Sequence, residues 1–340
     1  MPLIRPVFLI ASFLMLTLGG AQSQAPANIY GIHTWSNGAS GIFSGKRGWT
    51  VECVNTANYS FDLQPSQAQQ IHDENLELII RINKEAGHTV PVNPADFDKF
   101  AQDCASKVSQ FSAWCHMWII GNEMNADFEG NVPVAVYSEV FRRCRNAIKA
   151  VQPDAIVAVA AVAPWNSSQK PSGPYPSNRP WLNYMYQLVN TLGSDADAYA
   201  IHAYGGRGGD TDPRNDDEMG FGVYKRWMEI IDAHAHASRV PVCLTEMNHA
   251  ADGQKPGQPG YPKYNYSAGY INKLFEAINT WNVAHDHKIS CACWFAYANG
   301  GFPGYNISGN SVMRDDFTTT TRNTNYAGPT TSAACWNFFE

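Results

Sequence analysis

Positive charge is scarce in this chain: its 340 residues carry 24 Lys+Arg against 30 Asp+Glu, a net charge of -6, and only 16% of them are charged. A polyanion binds by releasing counterions to a basic field, so nucleic acid is excluded as a partner. A phosphate-binding turn is lacking too. The glycine run Gly205-Gly-Arg-Gly-Gly209 follows an apolar stretch but leads into the acidic loop Asp210 to Glu218, not into a helix, which argues against a dinucleotide fold. Metal-ligand spacing is missing. The pairs His234-x-His236 and His285-x-His287 follow helical stretches and read as solvated helix ends, and the acidic loop lacks the ligand order of a calcium loop. No metal and no cofactor is expected. No linker, repeat or low-complexity block divides the chain, and no apolar run reaches the roughly 20 residues that span a bilayer.

Aromatic residues, by contrast, are plentiful. The 10 Trp, 16 Tyr and 16 Phe on a chain poor in charge suit a protein that stacks flat faces on a neutral ligand such as a sugar. At the N-terminus, Met1 to Pro6 carries one positive charge at Arg5, Val7 to Gly20 is almost wholly apolar, and Ala21-Gln-Ser23 has small residues at cleavage spacing. Residues 1–23 therefore read as a secretory signal peptide and 24–340 as one exported domain, extracellular or periplasmic, monomeric and free of the membrane once the signal is removed. The 8 Cys form an even number, which permits disulfide bonds. Cys53, Cys243, Cys291 and Cys293 lie inside apolar runs as small buried hydrophobes, whereas Cys104, Cys115, Cys144 and Cys335 are the candidates to pair.

From Ile29 onward short apolar runs alternate with longer amphipathic ones, the pattern of βα units around a parallel sheet. Eight runs read as strands: Ile29 to Trp35, Thr50 to Asn55, Leu76 to Asn83, Met117 to Asn122, Ile156 to Ala163, Ala198 to Tyr204, Val242 to Glu246 and Ser290 to Ala296. Helical patterns cover Pro65 to Glu74, Ala95 to Ser112, Val134 to Val151, Trp181 to Leu192, Tyr224 to Ala237 and Ser267 to Asn282, and Thr330 to Phe339 would close the chain. That arithmetic predicts a single (β/α)8 TIM barrel. Period-two alternation puts His33 and Trp35, then Ala198, Ala200, His202 and Tyr204, and then Ser290, Ala292 and Trp294 on the inner faces of their strands. The face carrying Cys291, Cys293 and Phe295 would lie beneath the helices.

Functional groups of such a barrel gather at the carboxyl ends of its strands. Those ends read His33-Thr-Trp35, Arg81-Ile-Asn83, Gly121-Asn-Glu123, His202-Ala-Tyr204, Thr245-Glu246-Met-Asn248 and Trp294. A carboxylate at the tip of an apolar strand is costly to desolvate and rarely serves packing. Glu123 and Glu246, after a fourth and a seventh strand, can flank one bond from opposite sides of the mouth. This suits glycoside cleavage, in which one carboxyl protonates the leaving oxygen and the other attacks the anomeric carbon. Glu52, in mid-strand, reads instead as a buried, paired residue. Trp165, Tyr297, Phe302 and Tyr305, in loops beyond strand ends, are candidates for outer subsites.

Asn122-Glu123, His202-x-Tyr204, Glu246 and Trp294, in this order at strand ends, resemble the clan of retaining glycoside hydrolases built on the (β/α)8 barrel, most of all its cellulase and mannanase family 5. The resemblance spans nearly the whole mature chain. It implies Glu123 as acid/base, Glu246 as nucleophile, Asn122 on the sugar 2-hydroxyl, Tyr204 bonded to Glu246, His202 in the same subsite and Trp294 as the stacking floor. Arg81 is comparable to the arginine that family 5 carries on its second strand, yet it lies on the third strand counted here. Either the count shifts by one or a related family of the clan is the better match. His33 and Trp35 are further candidates for substrate contact. The expected activity is a secreted retaining endo-β-glycanase acting on a polysaccharide or oligosaccharide. The alternatives are an exo-acting β-glycosidase of the same clan, a barrel that binds carbohydrate without cleaving it, and a metal-dependent hydrolase.

Overall fold

The computed structural model describes residues 26–57, 59–60, 62–205, 212–215, 218–249 and 266–329. The proposed signal segment, Cys335, the closing helix expected at 330–339 and most of the glycine run after Gly205 lie outside them. The strands are β1 (Tyr30–His33), β2 (Gly48–Asn55), β3 (Leu76–Asn83), β4 (Cys115–Ile120), β5 (Ile156–Val159), β6 (Ala198–Gly205), β7 (Val242–His249) and β8 (Ile289–Phe295). They pair in sequence order and close into one barrel, with β8 parallel to β1. The helices are α1 (Pro65–Asp73), α2 (Phe97–Phe111), α3 (Val134–Val151), α4 (Pro180–Leu192), α5 (Val223–Asp232), α6 (Tyr270–Ala284) and α7 (Ser311–Asn323), one after each strand from β2 onward. The chain is a (β/α)8 barrel whose first helix is replaced by the short 3-10 turn Ala39–Phe43.

The helix layer follows from apolar spacing. In α2, Phe97, Phe100, Ala101, Cys104, Ala105, Val108 and Phe111 are buried, the three-and-four spacing that lays one stripe on the sheet. Helix α3 does the same with Tyr137, Val140, Phe141, Cys144 and Ile148, and its start and end coincide with those read from the sequence. The first connection cannot follow suit, because it holds Gly38 and Gly45, both at positive φ, where a helix is disfavoured.

Helix α7 departs from expectation. Four threonines, Thr318 to Thr321, obscure it, each costing up to about 0.7 kcal/mol of helix propensity against alanine. Asn310 offsets this by accepting hydrogen bonds from the backbone of Val312 and Met313 at 3.0 and 3.2 Å. Phe317 packs edge-on against Phe43 and Phe275, at 5.3 and 5.5 Å between ring centres, and burial of such a ring stabilises by roughly 1.5–3 kcal/mol. Helix α5 also ends earlier than expected, at Asp232, so His234 and His236 lie beyond it.

The inner face of β8 is the opposite of the one expected. Parallel partners share a face, and Cys293 pairs with Gly31 and Phe295 with His33. A Cβ on Gly31 would stand 2.5 Å from Cys293 Sγ and 3.1 Å from Trp49 Cβ, so only glycine fits there. Cys243 Sγ reaches Met117 Sδ at 3.8 Å although β7 and β4 are not neighbours, which places these sulfur atoms in the lumen. Cys291 Sγ lies 4.0 Å from Cys293 Sγ on the same side. Hence Cys291, Cys293 and Phe295 point inward, and Ala292 and Trp294 point toward the helices. Both faces of a parallel strand are apolar, so alternation cannot tell them apart, and one step of register exchanges every side chain.

The cysteines are free thiols in all seven described positions, so no disulfide bond exists among the described residues. Cys104 on α2 and Cys144 on α3 come within 3.9 Å between sulfur atoms but are not bonded.

Candidate active site

At the carboxyl end of the barrel the chain leaves β4 through Gly121, at φ 85°. A Cβ there would press on Thr89 Oγ1 at 2.8 Å and Val90 Cγ1 at 3.1 Å, so glycine permits both the turn and the close approach. Asn122 and Glu123 follow, Glu123 itself at positive φ, which turns both side chains over the mouth. Glu246 arrives on β7 within an irregularity between Leu244 and Met247 in the pairing with β8.

The two carboxylates meet. An oxygen of Glu123, a nitrogen of His202 and an oxygen of Glu246 all lie within 4.8 Å of one another. His202 Nδ1 stands 2.9 Å from Glu123 Oε1 and 3.7 Å from Glu246 Oε2, and its backbone carbonyl accepts from Trp227 Nε1 at 2.9 Å. Both oxygens of Glu246 are engaged. Arg81 Nη1 donates to Oε1 at 2.5 Å, and the Tyr204 hydroxyl donates to Oε2. Burial alone would push the Glu246 carboxyl up. His202, Arg81 and His33 together with the Tyr204 hydrogen bond outweigh that and hold it well below the usual carboxylate range, so Glu246 is an anion. Tyr204 moves the other way, raised by burial and by the charges of Glu246 and Glu123, and remains a phenol able to donate.

His33, at the end of β1, presents Nε2 3.6 Å from Glu246 Oε1, while its Nδ1 shares a hydrogen bond with Thr34 Oγ1 at 2.8 Å. Burial is the main reason its imidazole is held down to about 3, and it is neutral at physiological pH. Arg81 is largely buried, with 11% of its side chain exposed, and Nη1 also donates to Asn122 Oδ1 at 2.7 Å. It lies on the third of eight strands, so the strand count stands, and the family 5 pattern of an arginine on the second strand is not that of this chain.

One expected contact falls elsewhere. Trp294 is 0% exposed, donates its indole N–H to the Tyr305 carbonyl at 3.1 Å and meets Tyr266 edge-on. Facing the helices, it offers no stacking surface. The aromatic group at the mouth is formed instead by Phe295, which lies 5.0 Å from the His33 ring and packs with Phe302 and Tyr305 at 5.7 and 6.0 Å. Phe302 is 49% exposed. Trp35 is buried, and its backbone N–H donates to Glu52 Oε1 at 2.5 Å. Glu52 also accepts from Thr50 Oγ1 at 3.1 Å, and burial raises its carboxyl to about 8 in spite of both bonds. Of the outer aromatic candidates, Tyr297 is buried and Trp165 donates to the Glu218 carbonyl at 2.9 Å.

Three participants escaped the sequence reading. Glu129, in the turn after β4, accepts from Asn122 Nδ2 at 2.8 Å. Thr89 Oγ1 accepts from the Asn122 backbone N–H. Phe295 is the third, hidden by the inverted face of β8. An acidic residue just beyond the strand end that carries Asn122 and Glu123 is the one available signal for Glu129.

Glu123, His202 and Glu246 form the one set among the described residues whose atoms could converge on a metal ion. The Arg81 guanidinium, 2.5 Å from Glu246, already places a fixed cation on that carboxylate, and a second cation would be repelled by it. The same contact yields a prediction. Replacing Arg81 with Met removes a charge that favours the ionised form of Glu246, so the acid limb of a pH–rate profile is expected to move up by about one to three pH units. Arg81→Lys retains the charge and is expected to move it less. An unmoved limb in Arg81→Met would contradict the assignment.

No family model and no curated protein matches this chain. Solved structures do. A glucosidase from Croceicoccus marinus aligns with a TM-score of 0.59 at 12% identity, over 88% of this chain and 68% of that one. A family 39 glycoside hydrolase from the gut symbiont Bacteroides cellulosilyticus gives 0.59 at 14%, over 88% and 64%. A family 51 α-L-arabinofuranosidase from Bifidobacterium longum gives 0.57 at 12%, over 87% and 73%. At such identities what the four chains share is the barrel fold.

Proposed function

We propose that this chain is a retaining glycoside hydrolase of the (β/α)8 clan, exported, and endo-acting on a β-linked polysaccharide. The observation that carries the reading is the carboxylate pair: oxygens of Glu123 and Glu246, from opposite sides of the barrel mouth, stand within 4.8 Å. Retaining enzymes hold their two carboxyl groups roughly 5–5.5 Å apart, whereas inverting ones need roughly 6.5–9.5 Å to admit a water molecule.

The residues divide the work by environment. Glu246, an anion oriented by Arg81 and Tyr204, attacks the anomeric carbon, and its bond to that carbon forms as the bond to the leaving oxygen breaks. Glu123 supplies the proton that the departing oxygen takes. In the second step Glu123 accepts a proton from water as the water displaces Glu246, which restores both groups. His202, between the two, orients Glu123. His33 and Asn122 face the same sugar, and Phe295 with Phe302 and Tyr305 supplies the apolar wall that its carbon face would meet. The several glycosidases that share this barrel are in keeping with the reading.

The test is release of reducing sugar from a panel of β-glucan, mannan, xylan and galactan, with viscosity followed in parallel. A rapid fall in viscosity ahead of sugar release is expected of endo action, and the reverse order would indicate an exo-acting enzyme. Binding to a polysaccharide without release from any of them would favour the carbohydrate-binding barrel.

A further inference from the structure

Asn122 is held at three points. Its backbone N–H goes to Thr89 Oγ1, its Oδ1 accepts from Arg81 Nη1 at 2.7 Å, and its Nδ2 donates to Glu129 Oε1 at 2.8 Å. The two side-chain contacts fix which end of the amide is which. Turned over, it would set an NH2 against a guanidinium and a carbonyl against a carboxylate, both repulsive. Thr89 is tied in as well, since its own backbone N–H donates to the Glu129 carbonyl at 3.1 Å. Among the described residues the Asn122 side chain makes no further hydrogen bond, so one of its two amide hydrogens is uncommitted.

Resting on the proposed glycosidase reading, we propose that Glu129 is a positioning residue for that reaction: it holds the Asn122 amide so that the uncommitted N–H is presented to the 2-hydroxyl of the sugar at the cleavage point. The carboxylate is a stronger acceptor for this purpose than a neutral group. It also completes a line running from Glu246 through Arg81 and Asn122 to Glu129, so the amide is set relative to the nucleophile itself. Contacts to the 2-hydroxyl tighten as the transition state forms, so misplacing their donor costs rate rather than binding.

The experiment compares the wild-type chain with Glu129→Ala and Glu129→Gln on the 2,4-dinitrophenyl β-glycoside of the disaccharide unit of whichever polysaccharide is cleaved best, on the corresponding monosaccharide glycosides, and on analogues that lack the 2-hydroxyl of the sugar bearing the aglycone. In Glu129→Ala, kcat/KM is expected to fall about tenfold or more on the glycoside cleaved best and less than about twofold on its 2-deoxy analogue. Most of the loss is expected in kcat. Glu129→Gln keeps an acceptor for Asn122 and is expected to lie between, and it serves should the alanine variant fold poorly. Equal losses on the two substrates in either variant would reduce Glu129 to a structural residue and overturn the inference. A wild-type chain that cleaves none of these glycosides or the polysaccharides would instead remove the reading on which it rests.

Discussion

Replacing Glu246 with Gln is expected to lower turnover by roughly four orders of magnitude or more, the scale of losing a nucleophile from a group that acts as a unit. Glutamine keeps the shape and can still accept from Arg81 or Tyr204, but it cannot form the covalent intermediate. Alanine at the same place would do further harm. It would leave the Arg81 guanidinium, largely buried, without its carboxylate at 2.5 Å, and stranding one partner of a buried ion pair costs several kcal/mol. Thermal unfolding of both variants separates the two effects: Glu246→Gln, which keeps an acceptor for Arg81 but not the charge, is expected to melt below wild type and Glu246→Ala lower still. Glu246→Gln with near-normal turnover would remove Glu246 from the chemistry.

The second large effect is at Glu123, and it depends on the leaving group. Glu123→Ala is expected to slow hydrolysis of a polysaccharide by about 10²–10⁴, the usual contribution of a general acid. On a dinitrophenyl glycoside, whose phenolate leaves without a proton, the first step should be nearly untouched while the second, which still needs a base for water, slows. A burst of dinitrophenolate followed by slow turnover is the expected trace, and added azide, a nucleophile that needs no base, should speed the slow phase. Equal slowing on both substrates with no burst would assign the acid to another residue. His202 shows why Glu123 and Glu246 are not interchangeable: it stands 2.9 Å from the first and 3.7 Å from the second, while Arg81 touches only the second.

Much of this barrel is legible in the chain. Each apolar run read as a strand overlaps one, and β3 matches its expected ends, because Leu76, Leu78, Ile79, Ile80 and Ile82 form an apolar run closed by Asn75 before it and Asn83 at its end. Counting those runs also places Glu123 after the fourth strand and Glu246 on the seventh. What stays hidden is decided by contacts distant in sequence. The inward face of β8 depends on its register with β1, where Gly31 meets Cys293, and that pairing joins the two ends of the barrel. Alternation along the sequence therefore puts Trp294 at the mouth, where Phe295 stands. Helix α7 escaped because its stability comes from Phe317 against Phe43 and Phe275 and from Asn310 at its start, not from propensity along its own length. Glu129 escaped for a related reason: its tie to Asn122 is set by the turn between them, not by any spacing a motif records.

The separation of Glu123 and Glu246 makes the stereochemistry of hydrolysis the most direct test. Proton NMR of the anomeric region, recorded from the first minutes of cleavage of a β-linked oligosaccharide, resolves the new reducing end before mutarotation mixes it. Two displacements at one carbon predict that the β-anomer appears first and the α-anomer only later, at the rate of mutarotation. The α-anomer appearing first would mean a single displacement by water, and would contradict a nucleophilic Glu246.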